Sequence, residues 1–406
     1  MLQTESITDQ TSPYALRYRA YTLFFTGSLV TRIGDWMDLV VLNWFVYQAT
    51  SSPLHLGIVN ACRLLPTFLL SIPGGILADR FDRRKILIWI QVGFMLFTWL
   101  LGYVTAEGFP FWVFVSIVTI RSMLTSLEIP VRNAYIPNLV PEIALASAIS
   151  LYTTALNLSR MIGPAIAGFL LGVWEPSWIF YVNGWATIGV LYSLIVIRLD
   201  KNRETSPSAN KASLLEVVIF IREKPAVQAL LLLAIIPMIF GFPYTTMLPV
   251  FVKDLLGYGP EGFGLLLSIS SIGAVLGTLW LSLGKGTEYA GRWLVCSIIG
   301  FGLSLLLLLA VKEIIFASFA MFLVGVTSQT YRTMSRITLQ AQVPDQLRGR
   351  ILSIALMDRG FIPIGAMLIG SIAGWAGAFW AGVVMGAGCI LVTLGVLWSR
   401  KQIWTL

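Results

Sequence analysis

A chain of 406 residues that is 57% hydrophobic and only 12% charged, with 14 Trp and 23 Phe, carries more apolar surface than one soluble core could bury. Runs of roughly 20 apolar residues, the length that crosses a bilayer, recur along almost all of it. A soluble domain is therefore excluded, and the lack of short alternating strands excludes a transmembrane barrel. The formal net charge of +8 sits in short loops between apolar runs, which points to membrane topology rather than to nucleic acid.

The fold class expected is an all-α membrane protein of twelve transmembrane helices in two six-helix halves. The first six spans are predicted at 20–48, 53–78, 84–106, 110–131, 144–172 and 177–197. The second six are predicted at 226–252, 262–283, 292–311, 314–336, 351–373 and 376–398. This divides the chain into an N-terminal segment 1–19, a half 20–197, a polar linker 198–224, a second half 225–398 and a tail 399–406. The first 19 residues are polar and the first apolar run is too long for a cleaved leader, so none is expected.

The first span contains TRIGDWMDLV (31–40). Asp35 and Asp38 are three apart and share a helix face, with Arg32 one turn before Asp35. Charges inside a membrane are costly and face a cavity or one another. Two acids beside one cation suit a group that takes up and releases a proton, with Asp35 the more central. The alternative is a structural Arg32–Asp35 pair. Arg63 in the second span and Arg121 halfway along the fourth are further cavity charges or helix-bridging cations.

Between the second and third spans stands GGILADRFDRRK (74–85), where Asp79–Lys85 carries six charges in seven positions. Gly75 is expected to permit close helix approach. Asp79 would bond a neighbouring helix N-terminus, where the dipole favours an anion. Arg80, Arg83 and Arg84 complete the cluster, and Arg83 and Arg84 are expected to pair with acids on adjacent helices, Glu128 being the candidate. The alternative is a topology signal alone.

In the fifth span LSRMIGPAIAG (158–168) places Arg160 before Gly163, Pro164 and Gly168, residues that allow a bend and close packing. The seventh span reads IFGFPYTTMLP (239–249), where Pro243 and Pro249 break helix regularity, as is tolerated beside a cavity. Phe242 and Tyr244 there are candidate contacts for an apolar solute. In the eleventh span Asp358 and Arg359 form a structural pair, or Asp358 is a second titrating site. The halves echo each other: NLVPE (138–142) with AQVPD (341–345), and Arg160 and Pro164 with Arg359 and Pro363 at matching offsets. Related halves of this kind place a solute path at their interface.

Arg17 and Arg19, the 80–85 cluster, Arg132, the linker, Lys285 and Arg292, Arg348 and Arg350, and Arg400 and Lys401 fall on alternate loops. The opposite loops carry little beyond Lys253 and Lys312. That bias predicts cytoplasmic termini and linker, in the cell's inner (cytoplasmic) membrane. Cys62, Cys296 and Cys389 offer neither a disulfide framework nor metal spacing. No GxxxxGK[ST] loop, Ser-His-Asp set or zinc pattern occurs, so neither an ATP-driven pump nor an enzyme is expected, and no cofactor or metal.

The 74–85 loop resembles the signature loop of the major facilitator superfamily, with Gly75, Asp79, Arg80, Arg83 and Arg84 matching and Asp82 standing where the family has Gly. The second-half loop LGKGTEYAGR (283–292) keeps Gly284 and Arg292 but lacks the Asp-Arg pair. GDW in the first span resembles the macrolide- and siderophore-efflux branches, Arg121 stands where the family often carries a functional Arg, and SRMIGPAIAG resembles the end of the antiporter signature. The resemblance implies a secondary transporter that exports an amphipathic small molecule (drug, macrolide or siderophore) against protons by alternating access. Its partners would be that solute, protons and the lipid bilayer, with no nucleic acid, and it would work as a monomer. Rival readings are a proton-coupled importer, a lysolipid flippase, or a transporter-like sensor. A sensor would be expected to carry a larger cytoplasmic domain than the 198–224 linker.

Overall fold

The computed structural model describes residues 12–197, 214–283, 289–344, 347, 351, 355, 357–400 and 404. The expectations for most of the linker, Gly284, Lys285, Arg348, Arg350 and Lys401 fall outside these residues, as does the Asp79 side chain. Among the described residues every regular element is helical. The first half comprises α1 (Arg19–Thr50), α2 (Pro53–Arg80), α3 (Arg83–Glu107), α4 (Phe111–Tyr135), α5 (Leu145–Leu171) and α6 (Pro176–Val196). After α7 (Leu214–Glu223) come α8 (Pro225–Ile236), α9 (Tyr244–Val250), α10 (Pro260–Ser282), α11 (Ala290–Ala310), α12 (Ile314–Gln342), α13 (Ile362–Ala376) and α14 (Ala378–Ser399).

Eleven stretches among the described residues are long and apolar enough to cross a membrane. Helix α1 is the twelfth spanning element. Its 32 residues reach about 48 Å at 1.5 Å per residue, but Arg32, Asp35 and Asp38 dilute its apolar character. The fourth and tenth spans continue past their expected ends at 131 and 336, to Tyr135 and Gln342. A helix stops where its backbone is capped or broken, not where its apolarity ends.

Capping explains several boundaries. Asp82 begins α3: its carboxylate accepts from the backbone N–H of Arg84 at 3.0 Å and of Lys85 at 3.2 Å, satisfying two amides that a helix start leaves open. The residue in place of the family's Gly therefore makes the turn by capping, at φ −61°. At the other end Gly108 adopts φ +71°, the left-handed conformation that terminates many helices.

The seventh span is one helical stretch broken twice. Helix α8 runs into a π-turn at Pro237–Gly241, then α9, then a second π-turn at Phe251–Leu256. The Phe242 N–H reaches back five residues to the Pro237 carbonyl at 2.7 Å. Pro243 and Pro249 lack amide hydrogens, so the regular ladder cannot run through, and widened turns take up the extra residues.

Two compact units form. The first gathers the described residues of Met1–Leu42 and Leu65–Pro207, the second those of Asn43–Leu64 and Ser208–Leu406. In the first, α3 packs on α4 and α6. Tyr21, Phe24, Leu87, Val131, Tyr135, Leu139 and Leu194 share one core cluster, and the Tyr21 hydroxyl donates to the Ala148 carbonyl at 2.7 Å. In the second, α12 packs on α10 and α11, and α11 on α14. Gly273 and Gly277 of α10 face the α12 backbone, and Gly325 of α12 faces that of α10, with no room for a side chain. Small residues four apart let membrane helices approach this closely. The second unit also holds the end of α1 and the start of α2. There Tyr47 donates to the Asp254 carboxylate at 2.5 Å, Trp44 stacks on Phe263, and Gly57 abuts the Ala366 carbonyl. Trp89, Trp375 and Trp398 are strongly exposed, as side chains facing lipid or its interface are.

Candidate functional site

The first unit holds a buried charge network on α1 and α4. One Arg32 nitrogen binds Asp35 at 2.9 Å, one turn away. Another donates to Glu128 at 2.8 Å, and Glu128 is also gripped by Arg132, four residues on along α4. Arg132 donates in addition to the Ser28 hydroxyl at 2.9 Å. Nearby, Arg121 donates to Asp38 at 2.8 Å and lies over the Phe94 ring at 4.9 Å. The network counts three carboxylates and three guanidiniums, so it is neutral when every acid is ionised. This is how intramembrane charge is normally tolerated.

Exposure separates the acids. The Asp35 side chain is 25% exposed, against 7% for Asp38 and 4% for Glu128. Arg160 of α5 lies 5.6 Å from the ring of Trp36, and Gly163 packs against Trp36 and the Ile33 carbonyl. Helix α5 is continuous through Pro164, with Gly163, Pro164 and Gly168 buried. Arg63 is half-buried in α2.

Two expectations about the charged loop are corrected. Glu128 is not the partner of Arg83 and Arg84, because Arg32 and Arg132 already occupy it. Arg83 donates instead to the Ala134 carbonyl at 3.2 Å. Arg84 donates to the carbonyls of Leu194 and Ile195 at 2.5 and 2.7 Å. Carbonyls at a helix C-terminus lack intrahelical donors and attract cations, so the cluster staples the ends of α4 and α6. Nor is Gly75 the point of close approach, for a Cβ there would meet nothing within 4 Å. Gly74 is that point: its Cβ would lie 2.7 Å from Pro130 Cγ and 3.3 Å from Leu127 Cα. Neighbouring helical residues point about 100° apart, so only one of the pair can face α4. Arg80 is exposed in the last turn of α2.

The second unit contains a cavity of about 210 Å³ whose lining includes Arg332, Arg336, Asp358 and Arg359. Asp358 and Arg359 come from the short helical turn Met357–Phe361. The two sequence candidates thus meet in one place, together with two arginines of α12 that the motif reading missed. Their four-residue spacing on a helix was the available signal. Arg132, expected as a loop cation, is instead buried in α4 four residues after Glu128, and the same spacing was the signal for its pairing. Phe242 and Tyr244 are buried rather than in the lining. Phe242 packs edge-on against Phe301 and lies under Arg332, 4.3 Å from its guanidinium. Tyr244 shares a hydrogen bond with Ser270 at 3.1 Å. Their proline-broken stretch turns them into the core.

Comparison with known proteins fits this arrangement. The family model described as transmembrane secretion effector (MFS_3) matches residues 11–404. The staphyloferrin A transporter of Staphylococcus aureus is 30% identical over 385 residues, covering 94% of this chain and 96% of that one. Macrolide efflux protein A of Streptococcus pyogenes is 23% identical over 363 residues, covering 87% and 88%. Among solved structures the nucleoside transporter NupG superposes with a TM-score of 0.78 at 12% identity, covering 94% and 99%, a likeness of fold. Matched along nearly its whole length, this multi-pass membrane chain belongs to the transmembrane secretion effector family of the major facilitator superfamily.

Proposed function

We propose that the protein is a proton-coupled exporter of amphipathic small molecules, working as a monomer by alternating access in the cytoplasmic membrane. The halves 20–197 and 225–398 are the moving bodies, joined by the 198–224 linker. The observation that carries this reading is the neutral network of Arg32, Asp35, Asp38, Arg121, Glu128 and Arg132, in which one acid, Asp35, has a distinctly more exposed side chain than the others. A proton reaching Asp35 removes one negative charge and leaves the network with an excess cation. Excess charge in the membrane layer is costly, so the protonated and ionised forms favour different arrangements of α1. That helix carries the network in the first unit and, nine residues after Asp38, Tyr47 with its Asp254 partner in the second. Its charge state thus bears on both compact units, between which α1 is shared. The relatives that move a siderophore and a macrolide support a solute of that amphipathic kind.

The test uses purified protein in proteoliposomes with an imposed pH gradient. Asp35→Asn should abolish gradient-driven uphill transport while the protein stays monodisperse and still binds solute. Full uphill transport by the well-folded variant would remove Asp35 as the proton site.

A further inference from the structure

The second unit's cavity has a charge character unlike the network in the first. Its lining includes three guanidiniums, from Arg332, Arg336 and Arg359, and one carboxylate, from Asp358. By formal count these described side chains sum to +2. Met238 and Leu339 contribute an apolar wall. Arg332 and Arg336 are one turn apart on α12, so they stand on one face of it. Arg332 is held by stacking at 4.3 Å over Phe242, a contact that fixes the plane of a guanidinium. Arg336 and Arg359 are both exposed side chains. Positive charge gathered on a cavity wall in a membrane protein marks a functional site by default. The guanidinium fork matches a carboxylate or phosphate edge through two parallel hydrogen bonds, which a cationic or neutral solute cannot offer.

We propose that this cavity binds the doubly anionic head of an amphipathic solute, a pair of carboxylates or a phosphate. Arg336 and Arg359 grip the head, and Met238 and Leu339 receive its apolar body. This rests on the exporter reading only for the solute's being cargo; the binding site stands or falls separately. Asp358 beside the arginines sets the selectivity, because it repels a third negative charge and leaves room for two.

The test is isothermal titration calorimetry on the full chain in detergent, where no gradient or transport is involved. The probes are butylsuccinate with two carboxylates, butyl phosphate, hexanoate with one carboxylate, and hexanediamine. Butylsuccinate or butyl phosphate should bind at least about tenfold more tightly than hexanoate, and hexanediamine should not bind competitively. The tighter of the two dianions distinguishes carboxylate from phosphate recognition. Arg336→Gln and Arg359→Gln should each weaken the preferred dianion about tenfold or more. Arg336→Lys should keep part of the affinity, since the charge remains and the fork is lost. If a Gln variant fails to fold, the Lys variant and the wild-type probe series decide. Equal affinity for hexanoate and the dianions, or undiminished dianion binding in folded Arg336→Gln and Arg359→Gln, would overturn the proposal. Dianion binding without uphill transport in a pH gradient would keep the site and overturn the exporter reading.

Discussion

Asp35 and Asp38 are three residues apart on one helix, yet they differ in what they hold together. Asp38 and Arg121 have side chains only 7% and 5% exposed and meet at 2.8 Å. Removing one partner leaves the other buried and unpaired, which costs about 3–5 kcal/mol. Arg32, by contrast, keeps Glu128 at 2.8 Å if Asp35 is neutralised. Asp38→Ala should therefore lower the thermal unfolding midpoint in detergent clearly more than Asp35→Ala. Asp38→Asn combined with Arg121→Gln should lose less than the sum of the two single losses, since paired removal leaves no orphan charge. Additive losses would show that the pair is not coupled. The sequence pointed to Arg32–Asp35 because helix periodicity brings residues three apart together. It could not pair Asp38 with Arg121, because 83 positions separate them and only packing of α1 on α4 sets that distance. The same limit misassigned Glu128. It was matched to arginines in the nearest charged loop, when its partners were Arg132 on its own helix and Arg32 on another.

At the scale of elements, the sequence showed where helices run but not which face they turn to one another. Span count, the break in the seventh span and the charged turn before α3 were all legible, because apolar length, proline and charge act locally. The contact face of α2 was not, since Gly74 and Gly75 look alike until α4 is placed. The consequence can be measured. Gly75→Ala adds a methyl where nothing lies within 4 Å, and alanine is the better helix former by about 0.8–1 kcal/mol. It should leave the unfolding midpoint unchanged or raise it. Gly74→Ala drives the same methyl toward Pro130 and the Leu127 backbone, and overpacking of this kind costs about 1–3 kcal/mol. Its midpoint should fall. Equal effects at both positions would mean that α2 and α4 do not meet through Gly74. Across α10 and α12 the penalty should be larger, because an added Cβ at Gly325 meets the Ser270 carbonyl, a backbone atom that cannot rotate aside.

For the whole molecule the open question is which side of the membrane each loop faces. An even number of spans puts both termini on one side, and the loop charges predict which. One set of loops carries Arg17 and Arg19, the Arg80–Lys85 cluster, the 198–224 linker and Arg400. The other set consists of short turns between helices: Ser51–Ser52, 108–110, 172–175, 257–259 and 311–313, with Gly377 at the last. Basic residues in short loops resist translocation, so the rich set is expected in the cytoplasm. The structure gives some of these cations a second task, since Arg84 also bonds the Leu194 and Ile195 carbonyls. Topology and helix stapling thus draw on the same side chains, and neutralising Arg84 alone tests neither cleanly. Labelling does. In a background with Cys62, Cys296 and Cys389 replaced by alanine, Glu175→Cys lies in the exposed turn before α6, and Ser206→Cys lies in the linker. With an impermeant maleimide on intact cells, Glu175→Cys should label at once. Ser206→Cys should label only after the membrane is permeabilised. The reverse pattern would invert the molecule, and export would then have to be read as import.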